Sequence, residues 1–254
     1  MCLVVFAYKI HPRYKLIFAA NRDEFYNRPC EDAKYWDDHP SLLAGKDLQA
    51  GGTWLGITKN GRFAAITNYR DMKNIKENSP SRGFLPLNFL TGKEGIENHY
   101  NKIKNSLSDY NGFNLIAGDI DNLHYFSSVS NKLIKIKNGL HGLSNALLNT
   151  PWPKVNKSKD ELFRLVRSDE IQTKELLNLL SDTSPAKDEE LPDTGIGLNW
   201  ERILSSILIR SDNYGTRSST VILVDNENNV QFTERTFSDS DMTFTDTEFN
   251  FKLI

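Results

Sequence analysis

The chain has 254 residues, 39% hydrophobic and 11% aromatic, enough to bury a sizeable core, and one domain over residues 1–254 is expected. Its 31 basic and 33 acidic residues leave a formal charge of -2 with no long run of one sign, which argues against nucleic-acid binding and against electrostatic attachment to a membrane. No apolar stretch approaches the ~20 residues of a membrane span, no secretory leader pattern opens the chain, and the two cysteines, Cys2 and Cys30, fit a reducing, cytoplasmic setting rather than a disulfide framework.

Met1-Cys2 leads directly into an apolar run, Leu3 to Tyr8. With a turn near His11-Pro12-Arg13 and a second β-branched and aromatic run, Tyr14 to Ala20, the opening reads as a hairpin from Cys2 to Ala20. Asn21-Arg22-Asp23-Glu24 is expected to close its second strand. A further hairpin is expected to join Thr53 to Thr58 with Phe63 to Thr67, where Asn60-Gly61 supplies the positive φ of a tight turn. The run Gly51-Gly52-Thr53-Trp54-Leu55-Gly56 reads structurally, with glycines for close backbone approach and Trp54 for the core.

Helices are expected from Leu85 to Thr91 and from Ile96 to Leu107. Strands are expected at Phe113 to Gly118, Leu123 to Ser127, Leu133 to Ile136 and Leu140 to Ser144. Leu162, Phe163, Leu165, Val166, Leu176, Leu177 and Leu180 predict one helical stretch from Lys159 to Leu180. A polar loop from Ser181 to Asp193 and a short helix from Trp200 to Ile207 follow. Closing strands are expected at Ser219 to Val224 and Val230 to Thr236, before an acidic, polar tail from Ser238 to Asp246. Strands come in consecutive hairpins and helices in separate blocks. That segregation predicts an α+β class, antiparallel sheets with helices packed outside them.

Cys2 carries the sharpest chemical signal. Removal of Met1 leaves a thiol and a free α-amine on one residue. The thiolate is the nucleophile, and an α-amine of pKa ~7.7–8 can take the thiol proton near neutral pH, so no separate histidine is needed. The plain alternative is a small apolar residue opening a core strand. Other candidates lie at strand ends, from which side chains project off a rigid scaffold. The opening hairpin delivers Arg22 and Asp23 close to Cys2, unless they form a solvated charged turn. Asn68, in Thr67-Asn68-Tyr69, can donate its amide to a developing oxyanion or close an Asx-turn. Asn145, in Leu143-Ser144-Asn145, carries the same two readings. Arg217 precedes an apolar strand and can orient an anionic substrate, lower the thiol pKa, or pair with a surface carboxylate. The five histidines show no paired ligand spacing, Cys30 has no CxxC partner, and no P-loop or dinucleotide fingerprint occurs. No metal or cofactor is expected.

Met1-Cys2, Asn21-Arg22-Asp23-Glu24, Gly51-Gly52-Thr53-Trp54-Leu55-Gly56, Thr67-Asn68-Tyr69-Arg70, Ser81-Arg82-Gly83, Leu143-Ser144-Asn145 and Tyr214-Gly215-Thr216-Arg217-Ser218-Ser219-Thr220 occur in that order. Together, from residue 1 to about 237, they resemble the NRDE family, named for its Asn-Arg-Asp-Glu motif and also called the transport and Golgi organisation protein 2 family. That family in turn resembles N-terminal nucleophile hydrolases of the bile-salt hydrolase and penicillin V acylase type. The resemblance implies a four-layer αββα sandwich of antiparallel sheets. It implies Cys2 as nucleophile, Asp23 as the aspartate holding the N-terminal amine, Asn68 and Asn145 as oxyanion and substrate-positioning asparagines, and Arg217 as a site arginine. Arg22 and Tyr69, beside these motif residues, are expected to bind substrate. Those hydrolases place an arginine three residues before the aspartate. Ala20 stands there in this chain, and Arg22, out of phase by two, keeps the same strand face closer to the turn.

Two functions are expected from these residues. One is a cysteine N-terminal nucleophile amidase or thioesterase acting on a small acyl amide or acyl thioester. The other, implied by the family's association with lipid and acyl-CoA homeostasis, haem mobilisation and secretory-pathway organisation, is a non-catalytic carrier of haem, an acyl chain or acyl-CoA. Neither involves nucleic acid or an integral membrane segment.

Overall fold

Strand β1 (Leu3–Tyr8) runs antiparallel to β2 (Tyr14–Phe25), with Leu3 opposite Asn21 and Tyr8 opposite Leu16, which is the expected opening hairpin. The structure, a computed structural model, describes residues 3–238 and 243–254. Met1, Cys2 and part of the acidic tail lie outside the described residues. Strand β2 is longer than the sequence predicts. It continues through Asn21-Arg22-Asp23-Glu24 because β11 (Tyr214–Asp225) pairs along it, with Asp23 opposite Thr216 and Phe25 opposite Tyr214. Cross-strand pairing outweighs the poor strand propensity of Asn and Asp. The motif is strand, not turn.

The chain divides into two compact units, one formed by residues 1–27 with 138–251 and the other by 28–137 with 252–254. The first holds a six-stranded sheet in the order β10 (Gly139–Leu143), β1, β2, β11, β12 (Asn229–Phe237), β13 (Phe244–Lys252). Side chains alternate between the faces of a strand, and Val5, Ala7, Ile17, Ala19, Val221 and Leu223 share one face. They pack there against Leu162 of α3 (Pro153–Leu165) and Leu176 and Leu177 of α4 (Thr173–Leu179). On the other face Val4, Phe6, Phe18, Ala20, Ile222 and Phe232 are buried too, with the Phe6 and Phe18 rings 6.0 Å apart. Each such phenylalanine stabilises the fold by about 1.5–3 kcal/mol.

The single helix expected from Lys159 to Leu180 is two helices. Helix α3 starts earlier, with Pro153 in its first turn where no N–H partner is required, and stops at Leu165. Helix α4 opens after Gln172, whose N–H donates to Glu175 Oε2 at 3.3 Å. The polar segment between them, Ser168-Asp169-Glu170, competes poorly for helix. A short helix, α5 (Leu198–Leu204), precedes β11.

The second unit holds a seven-stranded antiparallel sheet in chain order: β3 (Cys30–Tyr35), β4 (Leu42–Asp47), β5 (Leu55–Thr58), β6 (Arg62–Asn68), β7 (Phe113–Asp119), β8 (Asn122–Ser127) and β9 (Lys132–Lys135). Strands β3 and β4 add to those the sequence predicts. Gly61, at φ +80°, makes the expected turn between β5 and β6. The glycine run behaves as expected. A Cβ on Gly52 would stand 2.5 Å from the backbone of Gly83, and one on Gly45 would stand 2.3 Å from the buried Trp54 ring. Helix α1 (Phe84–Thr91) packs on β5 and β6, and α2 (Ile96–Lys104) ends before Leu107, which opens a separate 3-10 turn. Among the described residues, no helix is long and apolar enough to cross a membrane.

Candidate active site

Asn21 and Asp23 share the helix-facing side of β2 with Ile17 and Ala19. Both polar atoms of the Asn21 amide are engaged: Nδ2 donates to Leu180 O at 2.9 Å and to Ile207 O at 2.8 Å, and Oδ1 accepts from Ser219 Oγ at 2.6 Å. Asp23 Oδ1 accepts from Thr216 Oγ1 at 2.7 Å, and the same hydroxyl accepts the Ile209 N–H at 2.9 Å. The segment after α5 is thus stitched to the ends of β2 and β11. A carboxylate fixed in this way is an oriented acceptor, the property needed to hold an ammonium group.

A bulge makes this arrangement possible. The β2–β11 register shifts between Thr216 and Ser218, leaving Arg217 as the extra residue. Thr216 and Ser219, three apart, would face opposite sides of a regular strand, yet both meet residues on one face of β2. In this stretch Arg217 alone stands out by sequence, and the two hydroxyls emerge only with the bulge. Arg217 itself reaches back along β2, where Nη1 donates to Phe25 O at 3.0 Å and to Tyr26 O at 2.7 Å. Position 215 must be glycine, because a Cβ there would stand 2.3 Å from Tyr26 Oη and 2.7 Å from Ile209 O.

Arg22 lies on the opposite face of β2, in phase with Ala20 as the sequence predicts, and is only 5% exposed. It stands across from Ser218, also 5% exposed, whose hydroxyl has no hydrogen-bond partner among the described residues. Asn145 reaches the same end of the sheet. Its chain leaves β10 at Leu143, opposite Val4, and Val4 is opposite Ala20, so the buried Ser144 and Asn145 follow at the level of Asn21 and Arg22. The first unit therefore brings Arg22, Asp23, Asn145 and Arg217 to one end of its sheet. Asn68 and Tyr69 belong to the second unit. Asn68 is exposed at the end of β6, opposite Phe113, and the half-buried Tyr69 donates its N–H to Gly112 O at 2.9 Å. Cys2 lies outside the described residues.

The second unit carries a polar cluster of a different kind. Arg62 caps the end of α1, with Nε and Nη2 donating to Phe89 O at 3.0 and 2.6 Å and Nη2 also donating to Glu94 O at 2.8 Å. His99 Nε2 lies 3.0 Å from Leu85 O in a cleft of about 340 Å³ that Arg62, Phe89 and Lys102 help to line. Burial first, and the nearby Arg62 charge after it, hold the imidazole below its ordinary value of 6.5. The unfolded chain then binds a proton near that value while the native state resists it, so stability falls as pH drops through about 6.5 and levels off below the native pKa. His99→Gln keeps a donor for Leu85 O and is expected to flatten this loss. Denaturant midpoints at about pH 7.5 and about pH 5.5 check it, the difference between them shrinking in the variant.

Solved structures and curated proteins place the chain. A penicillin V acylase from Agrobacterium tumefaciens is similar over 99% of this chain and 86% of its own, with 10% identity and a TM-score of 0.54. A Caenorhabditis elegans ortholog of N-acylethanolamine-hydrolyzing acid amidase is similar over 87% of this chain and 92% of its own, with 11% identity and a TM-score of 0.50. The fold is the one the resemblance implies, the α+β fold of N-terminal nucleophile hydrolases. In sequence, the Transport and Golgi organization 2 homolog of Mus musculus is 36% identical over 262 residues, covering 95% of each chain. Residues 1–239 match the family described as Transport and Golgi organisation 2, and the chain belongs to that family.

Proposed function

We propose that this protein is a cysteine N-terminal nucleophile hydrolase of acyl amides or acyl thioesters, working in the cytoplasm. Loss of Met1 frees the α-amine of Cys2, which takes the thiol proton as sulfur attacks the acyl carbonyl. The tetrahedral intermediate collapses as that proton passes to the departing amine or thiol. Water then cleaves the acyl-cysteine thioester, returning the acid and the free thiol. Asn68 and Asn145 donate to the oxyanion, Asp23 orients the amine, and Arg217, Arg22 and Tyr69 hold the substrate.

The observation that carries this reading is the Asp23 carboxylate, buried and fixed by Thr216, two residues past Asn21, which lies opposite the first described residue, Leu3. The two solved structures are named as an acylase and an acid amidase, which fits the same class of bond. One observation favours a carrier of haem or acyl-CoA instead: Arg217 Nη1 is engaged with the carbonyls of Phe25 and Tyr26, a structural use of a residue that the enzyme needs for substrate. Protein made in cells is expected to lack Met1 by intact mass spectrometry and to be alkylated at Cys2. Quantitative retention of Met1 overturns the enzyme and leaves the carrier.

A further inference from the structure

Glu234 occupies a core position of β12. Val230, Phe232 and Glu234 alternate onto one face and all are buried, Glu234 at 2% exposure. A carboxylate in such a place persists when hydrogen bonds and an opposite charge compensate it. Thr220 Oγ1 donates to Glu234 Oε2 at 3.2 Å, so the carboxylate leans over β11 toward β2, away from β13. The register places Glu234 opposite Thr220 and Thr220 opposite Ala20. One side-chain step along, Thr236 is opposite Ser218 and Ser218 is opposite Arg22. Glu234 and Arg22 thus share a face across β11, two strand spacings and one two-residue step apart, roughly 12 Å from backbone to backbone, a gap that two long side chains can bridge.

Few other ionisable groups compete on that face. Tyr8 of β1 and Glu24 of β2 lie in phase with Arg22, as does His141 of β10, whose ring stacks 5.0 Å from Phe6. Strand β13 presents Phe249 to Phe232, while its Asp246 pairs with Arg235 on the other face. The remaining buried lysine or arginine described in this unit, Lys154, belongs to α3, which packs against β1 and β10.

We infer that Glu234 is a positioning residue of the candidate site, balancing the charge of Arg22 and, through Thr220, holding its guanidinium over β11 beside the unpartnered Ser218 hydroxyl. A balanced guanidinium orients an uncharged acyl amide or thioester by hydrogen bonding and does not act as a general trap for anions. This deepens the hydrolase reading and rests on it for the link to Cys2.

The test compares wild type with Glu234→Gln, Arg22→Met and the double variant. The first readout is the pH dependence of Cys2 alkylation by iodoacetamide. With Glu234 neutralised, the uncompensated guanidinium favours the thiolate, and the midpoint is expected to move down by about one pH unit. The double variant is expected to return close to wild type. Thr220→Val, which keeps both charges but frees the carboxylate, should move the midpoint the same way by less. An unmoved midpoint in folded Glu234→Gln overturns the proposal, since a merely structural glutamate would give that result. The second readout, thermal unfolding of the four proteins, needs no reactive cysteine. Each single substitution is expected to lower Tm more than the double does, and additive losses overturn the pairing. If wild type keeps Met1 or Cys2 does not react, the hydrolase reading fails while the thermal cycle still decides the charge pair.

Discussion

Cys2→Ala is expected to abolish turnover of acyl amides and acyl thioesters, by a factor on the order of 10⁴–10⁶ when the nucleophile of a covalent mechanism is removed. The thiol makes and breaks the only covalent bond to the acyl group in the proposed cycle. The α-amine, Asp23 and the asparagine amides survive the substitution, so a small residual rate from binding and oxyanion stabilisation is all that remains. The fold should be unaffected, because one small side chain changes. A carrier responds differently. Affinity in an apolar cleft is distributed over many contacts, and Cys2→Ala should leave haem or acyl-CoA binding close to wild type. Both proteins are to be titrated with haem and with an acyl-CoA, beside a panel of amide and thioester substrates. Turnover lost with the thiol establishes the enzyme. Unchanged affinity, with no substrate turned over by wild type, establishes the carrier.

Strands that bury both faces, or alternate strictly, were legible. The Leu3 to Tyr8 run and the Phe113 to Asp119 strand announce themselves through β-branched and aromatic residues. Edge strands were not. Cys30–Tyr35 is polar at most positions, its register against β4 shifts between Glu31 and Lys34, and it needs only one neighbour to exist. Phe244–Lys252, largely exposed, begins within what reads as an acidic tail and runs past it, and a bidentate bond from Arg235 Nε and Nη2 to Asp246, both 2.8 Å, ties it to β12.

The candidate site divides in the same way. Asp23, Asn145 and Arg217 could be named from residue type, strand ends and family resemblance. The roles of Thr216 and Ser219 could not, because they depend on a bulge that no spacing rule reveals. Glu234 was readable in principle: a charged residue in phase with Val230 and Phe232 breaks the alternation where a core residue belongs. Asn21 marks the limit of motif reading. It belongs to the family's signature, yet its amide is engaged in holding two backbone carbonyls and the Ser219 hydroxyl.

Asn21→Ala is accordingly expected to lower stability by about 3–5 kcal/mol, since each buried polar group left without a partner costs ~1–3 kcal/mol. The Asn21 amide bridges the end of α4, through Leu180 O, to the segment after α5, through Ile207 O, while Ser219 Oγ anchors it to β11. All four residues are buried, so water cannot replace these bonds without opening the core. Truncation also leaves a cavity under the helices, which adds to the loss. Against a typical total of ~5–15 kcal/mol, the unfolding midpoint should drop far enough to see without ambiguity. Ser219→Ala removes only one of the three bonds and should cost less. The double variant should cost little more than Asn21→Ala alone, because residues sharing one network are not additive. Urea denaturation of the four proteins measures all of this. A loss under ~1 kcal/mol for Asn21→Ala, no more than an ordinary single hydrogen bond contributes, would show that the amide is not what ties α4 and the 207–209 segment to the sheet.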